Sequence, residues 1–182
     1  LTDYHFVFDL GTNDAVFQSY SYPILADMAR VFLLTYGQSG LGSYVGLFDE
    51  FPNTRLGIVP NLTSAGLPLY TTFDGVSVST ADVLAAFTWV GDTDLDGVLD
   101  ARDFNAVLNG WSNGLTGWHN GDTNYDGVVD AADWADFLAA YSYYQTSGFP
   151  LSSPGGRGAA IPEPASLVVL LPPLACLFRR RR

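Results

Sequence analysis

Asp or Asn recurs at every second residue in two short stretches of this chain, the spacing of side-chain oxygens that the chemistry of a hard cation requires. GDTDLDGVLDARDF (Gly91 to Phe104) and GDTNYDGVVDAADW (Gly121 to Trp134) align without a gap at an offset of 30 residues. Each carries the pattern D-x-[DN]-x-[DN]-G. A calcium ion takes six to eight oxygen ligands at roughly 2.4 Å, drawn from alternate residues as the chain wraps round it. Asp92, Asp94 and Asp96 fill loop positions 1, 3 and 5, and Asp122, Asn124 and Asp126 do so in the second copy. Gly97 and Gly127 stand at position 6, where a sharp turn needs a permissive backbone. Position 7 offers only a backbone carbonyl, so Val98 and Val128 are suitable there. Asp100 and Asp130 at position 9 reach an ion through water. Asp103 and Asp133 stand at position 12, where an Asp shorter than the usual Glu must draw its helix closer. The expected cofactors are two calcium ions.

The first loop has five carboxylates and the second has four. Two unit charges ~5 Å apart cost about 3 kcal/mol at an effective dielectric near 20, so collapse without a cation is opposed and binding is coupled to folding. A helix follows each loop. Phe104, Val107, Leu108 and Trp111 fall at helical spacing, and Trp134, Phe137, Leu138 and Tyr141 repeat that stripe at the same offset. Each short helix is expected to pack its apolar face on the other. Ser112 to Gly121, SNGLTGWHNG, is too rich in Gly for a helix entering the second loop, which makes the unit loop-helix.

The tandem GDxNxDGxVxxxD units, EF-hand-like but with helices on the exit side alone, resemble a type I dockerin over about residues 91–144. That resemblance implies a cohesin-type protein partner, contacted through the helices and loop positions 10 and 11. Those positions are Ala101-Arg102 and Ala131-Ala132 here, and intramolecular or other surface docking stays open beside a cohesin.

Four regions separate by composition. Residues 1–90 are aromatic, apolar and punctuated by Gly, and resemble the β-rich end of a passenger domain preceding dockerin repeats in large exported bacterial proteins. Tyr4 to Leu10 reads as a strand, and Pro23 to Tyr36 as a helix with Pro in its first turn and Gly37 at its end. Residues 37–70, broken by Gly and Pro, read as loops with short strands. Val76 to Val78 follows an Asp74-Gly75 turn and reads as a strand, as does the β-favouring run Val83 to Val90. The expected class is therefore α+β: a β-rich N-terminal region with one helix, then a small all-α module of two calcium loop-helix (F-hand) units over residues 91–144. A flexible linker (145–160) and a short apolar tail (161–182) follow.

The tail, IPEPASLVVLLPPLACLFRRRR, resembles a PEP-CTERM sorting signal: Pro162-Glu163-Pro164, an apolar run, then Arg179 to Arg182. The family implies export, contact with the cytoplasmic membrane and processing by an exosortase. Four terminal arginines suit retention on the cytoplasmic side. Leu167 to Phe178 would span about 18 Å as a helix against roughly 30 Å of hydrocarbon, and Pro172 and Pro173 interrupt it, so it suits a transient signal better than a permanent anchor.

Charge and residue types narrow the rest. Nineteen acids face eight bases, all of them Arg, for a net charge of −11. Such a surface repels phosphate, which argues against a nucleic-acid partner. A lone Cys176 excludes an internal disulfide and a cysteine-based zinc site. His5 and His119 lack partners for a triad, Asp49-Glu50 sets no fixed separation across a sugar, and Gly37-Gln38-Ser39-Gly40 lacks nucleophile-elbow spacing. Asn61-Leu62-Thr63 matches a glycosylation acceptor. Beginning at Leu1 without a leader, the chain reads as the C-terminal piece of a longer product. The leading expectation is a non-enzymatic, calcium-dependent docking module of an exported cell-surface protein. Two alternatives are the C-terminal appendage of a polysaccharide-degrading glycoside hydrolase and a surface protein stiffened by calcium.

Overall fold

A computed structural model of the chain describes residues 7–9, 14–34, 40–42 and 53–147. In chain order these form β1 (Val7–Asp9), β2 (Ala15–Phe17), α1 (Tyr22–Leu34), β3 (Gly40–Gly42), β4 (Thr54–Pro60), β5 (Thr72–Phe73), β6 (Val76–Ser77) and β7 (Val83–Trp89). Then come α2 (Ala101–Asn113), a 3-10 turn (Trp118–Asn120) and α3 (Ala131–Ser147).

The organising strand is β7, VLAAFTW, whose seven residues are all buried. A strand covered on both faces reads as a continuous apolar run, and here that run holds no charge at all. It pairs antiparallel with β2 on one edge and β4 on the other, giving the order β2-β7-β4. Register places Leu56 opposite Phe87 and Ile58 opposite Ala85, and the ladder closes at Pro60 opposite Val83, where a residue without an N–H ends the strand. Among the described residues of 37–70, β4 is thus a full-length strand. Its brevity in the sequence reading came from Gly57 and Pro60, and the first of these has a packing reason: a Cβ at Gly57 would lie 2.7 Å from Leu95 Cδ2 and 2.7 Å from Trp118 Nε1.

Helix α1 buries Leu25, Met28, Ala29, Val31 and Phe32 at helical spacing. The strand expected at Val83 to Val90 and the short one after Asp74-Gly75 are present. β1 and β3 form a separate parallel pair, and β5 and β6 an antiparallel one.

The expected all-α module is corrected by the packing. The described chain is one α+β mix in which α2, α3 and the two acidic loops lie against the sheet. Leu95, Tyr125 and Trp118 share a buried cluster with Leu56, Ile58, Leu84 and Ala86. Tyr125 donates its hydroxyl to the Leu56 carbonyl at 2.8 Å, and Arg55 of β4 pairs with Asp136 of α3 at 2.8 Å. The physical reason is the residue at position 4 of each loop, between the side chains at positions 3 and 5. Leu95 and Tyr125 adopt left-handed backbone, φ 58° and 59°, which turns two large side chains away from the carboxylates and into the sheet core. Such a conformation costs roughly 1–2 kcal/mol for a residue with a Cβ, and burial of a Leu or a large aromatic offsets it by roughly 1.5–3 kcal/mol.

The two helices meet as expected through rings, Phe104 on Trp134 at 5.3 Å and on Phe137 at 6.3 Å. The second cluster also takes in Trp89, Val90, Leu99 and Val129, so the helices cover the far end of β7 as well as each other. The linker beyond Ser147 and the apolar tail lie outside the described residues, as do His5 and Asp49-Glu50. Among the described residues no helix is long and apolar enough to cross a membrane.

Candidate metal centre

The first acidic loop runs from β7 and the second from the 3-10 turn, each to the first turn of a helix, and several of the same hydrogen bonds shape both. Asp100 caps α2, with Arg102 N donating to its side chain at 2.7 Å, and Ala132 N donates to Asp130 at 2.7 Å at the start of α3. Asp103 completes a capping box by accepting from Asp100 N at 3.0 Å, and Asp133 accepts from Asp130 N at 2.9 Å. The other oxygen of each reaches back across the loop. Asp103 Oδ1 accepts from Thr93 N and Thr93 Oγ1, both at 2.8 Å, while Asp133 Oδ1 accepts from Thr123 N at 2.8 Å and Thr123 Oγ1 at 3.1 Å. Gly97 N donates to Asp92 at 2.9 Å and Gly127 N to Asp122 at 3.1 Å. Val98 N and Val128 N donate to Asp96 and Asp126 at 3.0 and 2.9 Å. The repeat in sequence is a repeat in geometry.

In the first loop one oxygen from each of Asp92, Asp94 and Asp96 lies within 4.8 Å of the others, and Asp92 and Asp96 are buried. This cluster could hold a metal ion. Three carboxylates so placed repel: a pair at that separation costs about 3 kcal/mol at an effective dielectric near 20. Burial first, then the charges of Asp94 and Asp96, push Asp92 well above the ordinary carboxylate range, against the pull of hydrogen bonds from Thr88 and Gly97. Asp103 is raised by burial and by the charges of Asp92 and Asp94. Asp96 is raised chiefly by burial, with Val98 N–H and Arg102 opposing. A divalent cation among these oxygens would remove the repulsion that holds their protons on.

The second loop also buries a carboxylate. Asp122 is 3% exposed, and its Oδ1 is buried with no hydrogen-bond partner while Oδ2 accepts from Gly117 N and Gly127 N. Burial raises its pKa, and the charges of Asp133 and Asp126 add to that. Asn124 and Asp126 are tied to each other, Asn124 Nδ2 donating to Asp126 at 3.1 Å and Asp126 N to Asn124 Oδ1 at 2.8 Å. A desolvated carboxylate oxygen without a donor and a donor set made of oxygen alone fit a hard divalent cation.

Several contributors went unassigned in the sequence reading. Thr93 and Thr123 recur in the GDT of each copy, and that repetition was a visible signal for the clamp they form with Asp103 and Asp133. Thr88, which hydrogen-bonds Asp92, comes from β7 and carries no loop signal. Trp118 donates Nε1 to the Asp92 carbonyl at 2.6 Å, a contact that follows only from the fold. Arg102 lies across the first loop, 2.7 Å from Asp96, 2.9 Å from Asp100 and 3.4 Å from Asp94.

Other candidates fall into structural roles. Asn61 is buried, its amide donating to Tyr70 O and Ser79 O and its Oδ1 accepting from Tyr70 N, so it is a bracket for the β4 end and closed to glycosylation in the folded chain. His119 packs edge-on against Tyr22 at 5.6 Å, and burial lowers its pKa. No family model matches the chain, and no curated protein or solved structure does either.

Proposed function

We propose that the chain is a calcium-dependent attachment module of an exported protein, with residues 91–144 holding two calcium ions and the tail from Pro162 serving as a sorting signal. The observation that carries the metal part is the cluster of Asp92, Asp94 and Asp96 oxygens within 4.8 Å. Asp122 with its partnerless buried oxygen supports a second ion in the repeated loop. The ligands would be Asp92, Asp94, Asp96 and the Val98 carbonyl in one loop, and Asp122, Asn124, Asp126 and the Val128 carbonyl in the other. Asp100 and Asp130 would act through water, with Asp103 and Asp133 closing each site. Calcium is favoured over softer or smaller ions because every donor is an oxygen and the loops are long enough for high coordination.

The attachment part is supported by the outward helix faces. Leu108 is 44% exposed, Trp111 43% and Leu138 45%, and these lie on α2 and α3 where a cohesin-type partner would read them. Circular dichroism of the full chain in millimolar calcium and in excess chelator tests the metal part; loss of helical signal in chelator is expected, and identical spectra would count against it. A pull-down with a cohesin-type protein, repeated in chelator, tests the attachment part.

A second reading, calcium as a structural staple, is favoured by Leu95 and Tyr125, which fasten both loops to the sheet. Under that reading chelator would lower the melting temperature while a cohesin-type bait captured nothing in either condition.

A further inference from the structure

The two loops share their capping and Thr-Asp hydrogen bonds, and they differ at two points that matter to a cation, position 3 (Asp94 against Asn124) and position 11. Loop position 11 is Arg102 in the first and Ala132 in the second. The Arg102 guanidinium reaches Asp96 Oδ2 at 2.7 Å, Asp100 Oδ2 at 2.9 Å and Asp94 Oδ2 at 3.4 Å. Two of those three oxygens belong to side chains an ion in that loop would need. Its Nε also holds Asp100 at 3.1 Å, which anchors the group at the helix start. The bond to Asp100 and the charges of Asp94, Asp96 and Asp100 hold the proton on the guanidinium against the opposing effect of burial, and it stays charged under all ordinary conditions. Among the described residues no guanidinium forms an ion pair with a carboxylate of the second loop; Arg55 reaches only its Thr123 carbonyl, at 3.3 Å, and pairs with Asp136 of α3.

We infer that Arg102 is a built-in competitor for the first metal site, a tethered monovalent cation that fills the loop when calcium is absent and must swing off Asp94 and Asp96 when calcium enters. This rests on the calcium reading above. Two consequences follow. The two sites differ in affinity, the second loop filling at lower calcium. The first loop also keeps its shape in chelator, because its carboxylates retain a positive partner, whereas the second loses order. The device gives a graded response from a duplicated motif, with one loop acting as a near-permanent site and the other as the responsive one.

The test uses the full chain and calcium chloride, with free calcium read by a chromophoric chelator. In an Asp122→Ala background, which leaves the first loop alone, Arg102→Ala is expected to tighten binding about tenfold, or about 1.4 kcal/mol. Arg102→Lys should fall between, since a lysine offers a point charge without the fork. The reciprocal change, Ala132→Arg on the exposed start of α3, should weaken the second loop by a similar factor, and it decides the matter if Arg102→Ala fails to fold. Hydrogen exchange in chelator supplies an independent reading: amides 93–98 should exchange faster in Arg102→Ala than in the parent, with 123–128 unaffected. Unchanged or weaker calcium binding in Arg102→Ala, or no effect of Ala132→Arg, would overturn the competitor role alone. Absence of calcium from both loops of the parent chain would instead remove the calcium reading.

Discussion

At the scale of single residues, the chain places charge where it is least welcome and leaves it without water. Asp92 and Asp122 open the two loops and are both buried, so each is the natural point of attack. Asp92→Ala and Asp122→Ala should each remove one calcium per chain by isothermal titration calorimetry while leaving the other ion bound. A second carboxylate gives a pH dependence far from the metal. Asp14 is pushed up to about 6 from 3.8, by burial first and then by the charge of Asp74, with a hydrogen bond from the Phe87 backbone pulling it down. The folded state therefore holds that proton more tightly than the unfolded chain does. Its contribution is greatest below the unfolded value and is lost as pH rises towards about 6. Asp14→Asn removes the ionisation, and should gain about 1 kcal/mol at pH 7 once its partial exposure is discounted, with no gain at pH 3.5. Urea midpoints at the two pH values check this; an equal shift at both would contradict the assignment.

At the scale of elements, legibility followed how locally each feature is determined. The loops were readable because metal ligation by alternate residues imprints itself on consecutive sequence, and α2 and α3 were readable from their apolar stripe. The strand at β7 declared itself by a run of apolar, β-favouring residues. β4 did not, because Gly57 looks like a break until Leu95 and Trp118 are seen filling the space above it. Nor did the contact of the loops with the sheet, since Leu95 and Tyr125 sit between Asp or Asn residues where a polar surface is the obvious inference. The exposed half of the helix stripe, Leu108 and Trp111, was also hidden: spacing names a face, while the burial of Val107 and Gly110 instead depends on what lies opposite. Gly57→Ala should cost about 1–3 kcal/mol by overpacking, measured by chemical denaturation. Because the clashing groups are Leu95 in the first loop and Trp118, which bonds the Asp92 carbonyl and stacks on Tyr125, the same change should weaken calcium binding.

At the scale of the whole molecule, the metal loops and the sheet share one core, so loss of the ions is expected to propagate. Trp118 links both: it hydrogen-bonds Asp92 and stacks on Tyr125 of the second loop at 5.5 Å. Chelator should therefore lower the melting temperature of the full chain and shift the tryptophan emission, with both effects reversed by added calcium. The central claim is that divalent ions are bound by the repeated loops, and native mass spectrometry of the chain purified in calcium addresses it most directly. Two calcium ions per chain are expected, falling to one in Asp122→Ala. A parent chain that carries none under these conditions would contradict it.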